Sequence, residues 1–263
     1  METYFLIIFF IFGAIMGSFY HLVATRLSND ESIIFPGSHC TKCNHKLKWY
    51  ENIPIISYII QKGKCRSCNA NIPLSCLIVE IITGALFAVC FHSFKLSFDL
   101  IISLIFVSSL IIIIVSDIEY MIILDEVLVV STLLIIVLYI IHYVFFMDYH
   151  EGLIELMIKH VYPGIGSFAT MYGLKLLGDK LFKKESLGGG DIKLMFLFGL
   201  VLGYPLSLCT IFLATFIAFP ISIYILFSDR ENIIPFGPFL SMSAIVILIS
   251  KIDIDSILNF LVK

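Results

Sequence analysis

Apolar residues run along this chain in blocks, without the alternation expected of half-buried strands. Near-unbroken runs cover residues 3–24, 74–94, 98–116, 123–147, 153–177, 192–202, 205–227 and 235–262. A helix needs about 20 such residues to cross roughly 30 Å of hydrocarbon. A run that is apolar all round marks a helix surrounded by lipid or by other helices. The pattern predicts an all-α polytopic membrane protein with about eight transmembrane helices. The sixth run is short and abuts Gly203-Tyr204-Pro205, which predicts a tight helical hairpin with the seventh. The eighth is long enough to tilt or break. One polar stretch interrupts the series, so three parts are expected: a first membrane helix at 1–24, a small polar domain at 25–73, and a membrane-embedded domain at 74–263.

Composition agrees with that picture. Of 263 residues, 59% are hydrophobic and only 14% charged, and the mean hydropathy is +1.01. A water-soluble fold must cover itself with more polar surface than this. The net charge of −3 gives no basic field for a polyanion, so no nucleic acid is expected as a partner. No Lys or Arg precedes the first run and no small-residue cleavage pattern closes it, so it reads as a membrane helix that is retained, unlike a signal peptide.

Basic residues set the orientation. The 25–73 stretch carries Arg26, Lys42, Lys46, Lys48, Lys62, Lys64 and Arg66, and the approach to the sixth run carries Lys175, Lys180, Lys183 and Lys184. The loop Asp148-Tyr149-His150-Glu151 carries none. Both ends of the chain are therefore expected outside, with the polar domain in the cytoplasm.

That domain contains Cys40-x2-Cys43 and Cys65-x2-Cys68, separated by 21 residues. Two such knuckles supply the tetrahedral thiolate set that zinc prefers. A reducing cytoplasm disfavours disulfides there. Four protein ligands leave no open position, so the zinc is expected to be structural. Cys76, Cys90 and Cys209 lie in or beside apolar runs and read as small buried side chains.

Acidic residues at the edge of lipid are expensive and therefore functional candidates. Asp117 closes the third run, and Asp191 opens the sixth after Gly188-Gly189-Gly190. An even number of spans between them puts both on the cytoplasmic side. Paired carboxylates can share a proton and activate water. The residues alone leave Glu119, Asp125 and Glu126 as competing acids, and Asp191 also suits a plain helix cap. Glu80, inside the second run, is a candidate for holding another helix or part of a substrate, or for reaching the interface. Lys193 is a candidate for tuning Asp191, for binding a carbonyl, or for anchoring at headgroups.

Taken together, these motifs make the chain resemble the type IV prepilin peptidases, bifunctional leader peptidases and N-methyltransferases of bacteria. The likeness rests on Gly188-x-Gly190-Asp191 and on Asp117 followed eight residues later by Asp125. It also rests on the two cysteine pairs with Trp49-x-Glu51-Asn52-Ile53-Pro54 between them, on Gly17-Ser18-Phe19 and Arg26, and on Pro235-Phe236-Gly237-Pro238-Phe239. The resemblance implies Asp117 and Asp191 as the catalytic pair of a membrane aspartyl endopeptidase; Gly188, Gly190, Lys193, Glu80 and Asp125 are expected in support. It implies a bacterial inner-membrane enzyme that removes the basic leader of type IV prepilins or pseudopilins, after a glycine, at the cytoplasmic face. It further implies methylation of the new N-terminus from S-adenosylmethionine, although no glycine-rich nucleotide fingerprint occurs. Leu124 stands where the family usually has proline before the second aspartate. Competing readings are a presenilin-like protease, which gives the cysteines no purpose, an ion-coupled or metal transporter using the membrane acids, and a zinc-bearing scaffold.

Overall fold

The computed structural model describes residues 2–146, 149–226 and 235–251. The expectations for residue 148, the far half of the last run and the C-terminal end lie outside these residues. Ten α-helices are described: α1 (Glu2–Ser28), α2 (Ile56–Ile60), α3 (Leu74–Phe94), α4 (Phe98–Tyr120), α5 (Asp125–Phe146), α6 (Tyr149–Leu156), α7 (Tyr162–Phe182), α8 (Gly189–Leu202), α9 (Tyr204–Leu226) and α10 (Gly237–Ser250). A 3-10 turn covers Trp49–Glu51, and a π-helical turn, Met157–Val161, joins α6 to α7. The described residues contain no extended strand, only the isolated bridges His39–Lys46 and Lys64–Asn71.

Among the described residues, five helices are long and apolar enough to cross a membrane: α1, α3, α4, α5 and the stretch Tyr204–Tyr224 of α9. The fold is thus all-helical and multi-pass. α10 is a shorter apolar helix. Two further expected spans take other forms. The run at 153–177 is divided among α6, the π turn and α7, which extends into Lys175, Asp179 and Lys180. The run at 192–202 becomes α8, whose 14 residues reach only about 21 Å.

The chain forms two compact units, Met1–Val115 and Ser116–Lys263. In the first, α1 packs backbone to backbone on α3. A Cβ on Gly13 would come within 2.7 Å of the Thr83 carbonyl, and one on Gly84 within 2.9 Å of the Phe10 carbonyl. Gly13-x3-Gly17 is the small-residue spacing that lets membrane helices approach this closely. Tyr20 Oη donates to Ser108 Oγ at 2.6 Å, a polar tie that membrane helices use where water is absent.

In the second unit, Ser167 of α7 and Ser207 of α9 share a 2.6 Å hydrogen bond. Leu194, Met195, Leu197, Phe198 and Leu200 of α8 are fully buried. Gly203, at φ +82, is the single residue between α8 and α9, which makes the hairpin read from Gly203-Tyr204-Pro205. Only glycine takes such a φ without cost. The apolar bulk of α8 fixes its N-terminal end, and with it Asp191.

Candidate active site and cysteine cluster

Ser116 and Asp117 lie in the final turns of α4, which stops where Met121 adopts φ +58. Four residues later α5 begins at Asp125. Asp117 is only 6% exposed. Its carboxylate accepts the backbone N–H of Gly237, the first residue of α10. A Cβ on Gly237 would overlap Oδ2 of Asp117 and come 3.1 Å from Ile123 Cδ1. Glycine is needed here because the helix start lies directly on the carboxylate.

Asp191 is the third residue of α8, after the extended N-cap Gly188, and is equally buried. The Gly188 N–H donates to its carboxylate, which is the N3-to-N-cap half of a capping box. A Cβ on Gly190 would come 2.6 Å from Ile123 Cβ. Half-buried Ile123 therefore fills the space against both glycines, one at the start of α8 and one at the start of α10.

Each carboxylate thus takes one N–H from a helix start, where the backbone presents partial positive charge. The Asp117 charge acts electrostatically on Asp191. Oδ1 of Asp191 is buried and has no hydrogen-bond partner among the described residues. A buried carboxylate oxygen in that state keeps its full capacity to accept a proton or a water. Two such carboxylates can carry one negative charge between them far more cheaply than two.

The remaining sequence candidates fall elsewhere. Lys193 Nζ donates to both carboxylate oxygens of Asp125, at 2.7 and 2.6 Å. Both side chains are more than half exposed, so this surface pair occupies Lys193 away from Asp191. Glu119 and Glu126 are exposed. Glu80 belongs to the other unit, where its Oε2 accepts the Ile55 N–H at 2.7 Å.

In the polar stretch the four sulfurs of Cys40, Cys43, Cys65 and Cys68 lie within 4.8 Å of one another. Cys40 Sγ is 3.8 Å from Cys68 Sγ, and Cys43 Sγ is 3.9 Å from Cys65 Sγ. A tetrahedron with zinc–sulfur bonds of about 2.3 Å has edges of about 3.8 Å, so the cluster fits a structural zinc ion. Each knuckle is built alike: the Cys40 N–H bonds His45 O and the Cys65 N–H bonds Ala70 O, while Asn44 and Asn69 take φ +55 and +56. The N–H groups of Lys42 and Cys43 hold the Cys40 thiol down to about 6, which favours the metal-binding thiolate.

Sequence reasoning missed the roles of Ile123 and Gly237. The signal for Gly237 was present in Pro235–Phe239, where one glycine stands between an aromatic residue and a proline at a helix start. Ile123, one apolar residue among many, carried none.

The chain matches two family models: the Bacterial Peptidase A24 N-terminal domain over residues 11–94 and the Type IV leader peptidase family over residues 104–223. It is 31% identical over 261 residues to a prepilin leader peptidase/N-methyltransferase of Bacillus subtilis, covering 97% of each chain. A protein of the same name from Vibrio cholerae is 28% identical over 263 residues, covering 95% of this chain and 98% of the relative. One from Myxococcus xanthus is 31% identical over 196 residues, 74% of this chain and 55% of the relative. No solved structure matches. With a full-length relative above 30% identity and family models at both ends, the chain belongs to the type IV leader peptidase family and is a peptidase.

Proposed function

We propose that Asp117 and Asp191 are the catalytic pair of an aspartic endopeptidase that removes the basic leader from prepilins or pseudopilins, after glycine, at the cytoplasmic face. The observation that carries this reading is the buried Oδ1 of Asp191, which has no hydrogen-bond partner among the described residues and lies within electrostatic reach of Asp117. One ionised carboxylate takes a proton from water while its protonated partner polarises the scissile carbonyl. The water oxygen bonds to the carbonyl carbon, the amide nitrogen takes up a proton, and the C–N bond breaks. Gly188 and Gly237 each hold one carboxylate in place through a backbone N–H. Gly190 lets Ile123 pack between the two helix starts. Asp125 and Lys193 form a supporting ion pair beside the site. Next to that pair a groove lined by Leu128, Val129, Leu133, Ile165, Phe168 and Phe196 runs between α5, α7 and α8. It suits a substrate that continues into lipid as an apolar segment.

In this reading the chain sits in the bacterial inner membrane with about eight spans. Residues 1–24 form the first, 25–73 the cytoplasmic zinc domain and 74–263 the protease domain. Cys40, Cys43, Cys65 and Cys68 hold zinc, which supplies cross-linking and no catalysis. Methylation of the new N-terminus follows the relatives' name. The described residues contain no strand–turn–helix nucleotide site. The test is cleavage of a prepilin-like substrate in proteoliposomes. Release of the leader by wild type but not by Asp191→Asn is expected. Cleavage by Asp191→Asn at the wild-type rate overturns the pair.

A further inference from the structure

Residues 48–55 are unexplained by the peptidase chemistry, yet two buried carboxylates hold them. Glu51 has a side chain only 3% exposed. Its Oε2 accepts the Lys48 N–H at 2.8 Å and faces His45 Nε2 at 3.4 Å, and its Oε1 lies 3.9 Å from Arg66 Nε. His45 follows Cys43 by two residues and Arg66 follows Cys65 by one, so this carboxylate touches both knuckles. The guanidinium of Arg66 also covers the Tyr50 ring at 5.2 Å. The backbone N–H bond to Lys48 holds the Glu51 carboxyl below the usual carboxylate range.

The other end of the segment is a tight turn. Ile56 N–H bonds Pro54 O at 2.6 Å, with Ile55 at φ +63 and ψ −54 between them. This is a γ-turn with positive φ, rare for any residue and rarer for a β-branched one. The turn leaves the Ile55 N–H to be taken by Glu80 of α3 at 2.7 Å. A carboxylate buried in a membrane helix is expensive unless hydrogen-bonded, so this contact gives Glu80 a reason to be where it is.

We propose that residues 48–55 form a strap with two carboxylate anchors: Glu51 sets the register of the two knuckles, and Glu80 fixes the strap to α3. Both are positioning residues. The metal arm rests on the zinc reading given above. Glutamine at 51 has one acceptor oxygen where glutamate has two. It can serve the Lys48 side or the Arg66 side, never both. Outer-shell partners of metal sites are commonly worth 10–100-fold in metal affinity.

The test uses the full chain in nanodiscs. Zinc content is measured first, then zinc release to a colorimetric chelator, then amide exchange at residues 55–60. Glu51→Gln is expected to release zinc about 10–100-fold faster than wild type. Release within twofold of wild type overturns the metal arm. If Glu51→Gln is recovered without zinc, Glu51→Asp, which keeps the charge and loses reach, carries the same expectation. Glu80→Met is expected to leave zinc release near wild type while exchange at 55–60 rises severalfold. Unchanged exchange there overturns the membrane arm. A wild-type chain without zinc defeats the zinc reading itself, separately from the strap.

Discussion

Replacing Gly237 by alanine puts a methyl group where the Asp117 carboxylate now lies. The carboxylate must retreat by roughly 1 Å to regain ordinary van der Waals contact, and Ile123 Cδ1, 3.1 Å from the new Cβ, limits the alternative of shifting the helix start. Misplacing a catalytic group by about 1 Å costs on the order of 10²-fold. At about 1.36 kcal/mol per decade that is about 2.7 kcal/mol. A charge-assisted hydrogen bond, here from the Gly237 N–H, is worth about 1.5–3 kcal/mol, so both routes give the same size. Gly237 has no left-handed φ, and alanine is the better helix former by about 1 kcal/mol. The fold should therefore persist, with thermal unfolding shifted by only a few degrees. The assay is kcat for leader release in proteoliposomes, with helical content followed by circular dichroism. A folded Gly237→Ala enzyme within threefold of wild-type kcat refutes the claim that α10 seats a catalytic Asp117. Adding Asp117→Asn to Gly237→Ala should cost no more than Asp117→Asn alone, because groups acting as a unit are not additive.

Asp117→Asn and Asp191→Asn should each lower kcat by at least about 10²–10⁴-fold, the range for loss of a general acid or base, with helical content unchanged. Lys193→Met breaks only an exposed ion pair worth about 0.2–1 kcal/mol, so cleavage within a few-fold of wild type is expected; abolition would place Lys193 in the chemistry. Gly190→Ala sets its Cβ against Ile123 Cβ, so Ile123→Ala, which keeps that atom, should fail to restore activity to the double variant. The zinc domain should lose metal as pH falls. The Cys40 thiol is pulled down from the usual thiol range to about 6 by backbone N–H groups, so its thiolate is held above about pH 6 and protons compete for it below. Zinc retention flat from pH 8 to 5 would contradict that.

Run length and spacing made the membrane helices and the cysteine cluster legible, because both are local signals. The 74–94 run coincides with α3, and two C-x2-C pairs converge because each knuckle folds on its own backbone hydrogen bonds. The span count was harder to read. The 153–177 run is mostly apolar, with Glu155, Lys159, His160 and Lys175 scattered in it, but a π turn divides it in space, and hydropathy is blind to that turn. Among the acids, burial separated Asp117 from Glu119 and Glu126. Burial depends on what packs against α4's last turn, which no spacing rule encodes. Lys193 stands two residues from Asp191, yet on a helix neighbours at i and i+2 do not share a face, and the side chain turns to Asp125 instead.

Two of the three glycines around the aspartates have a common physical reason that the G-x-G spelling hides. A carboxylate removed from water must recover hydrogen bonds, and side-chain donors would occupy the space a substrate backbone needs. Backbone N–H groups recover them with no side chain of their own, but only if the donor residue lacks a Cβ or turns it away. Gly188 and Gly237 are donors of this kind, one for each aspartate, while Gly190 admits Ile123 between the helix starts. Asp191 then keeps one oxygen without a hydrogen-bond partner among the described residues. That oxygen is the atom the proposed hydrolysis requires, while a Cβ on Gly188 would press on the other oxygen of the same carboxylate, at 3.2 Å from Oδ2.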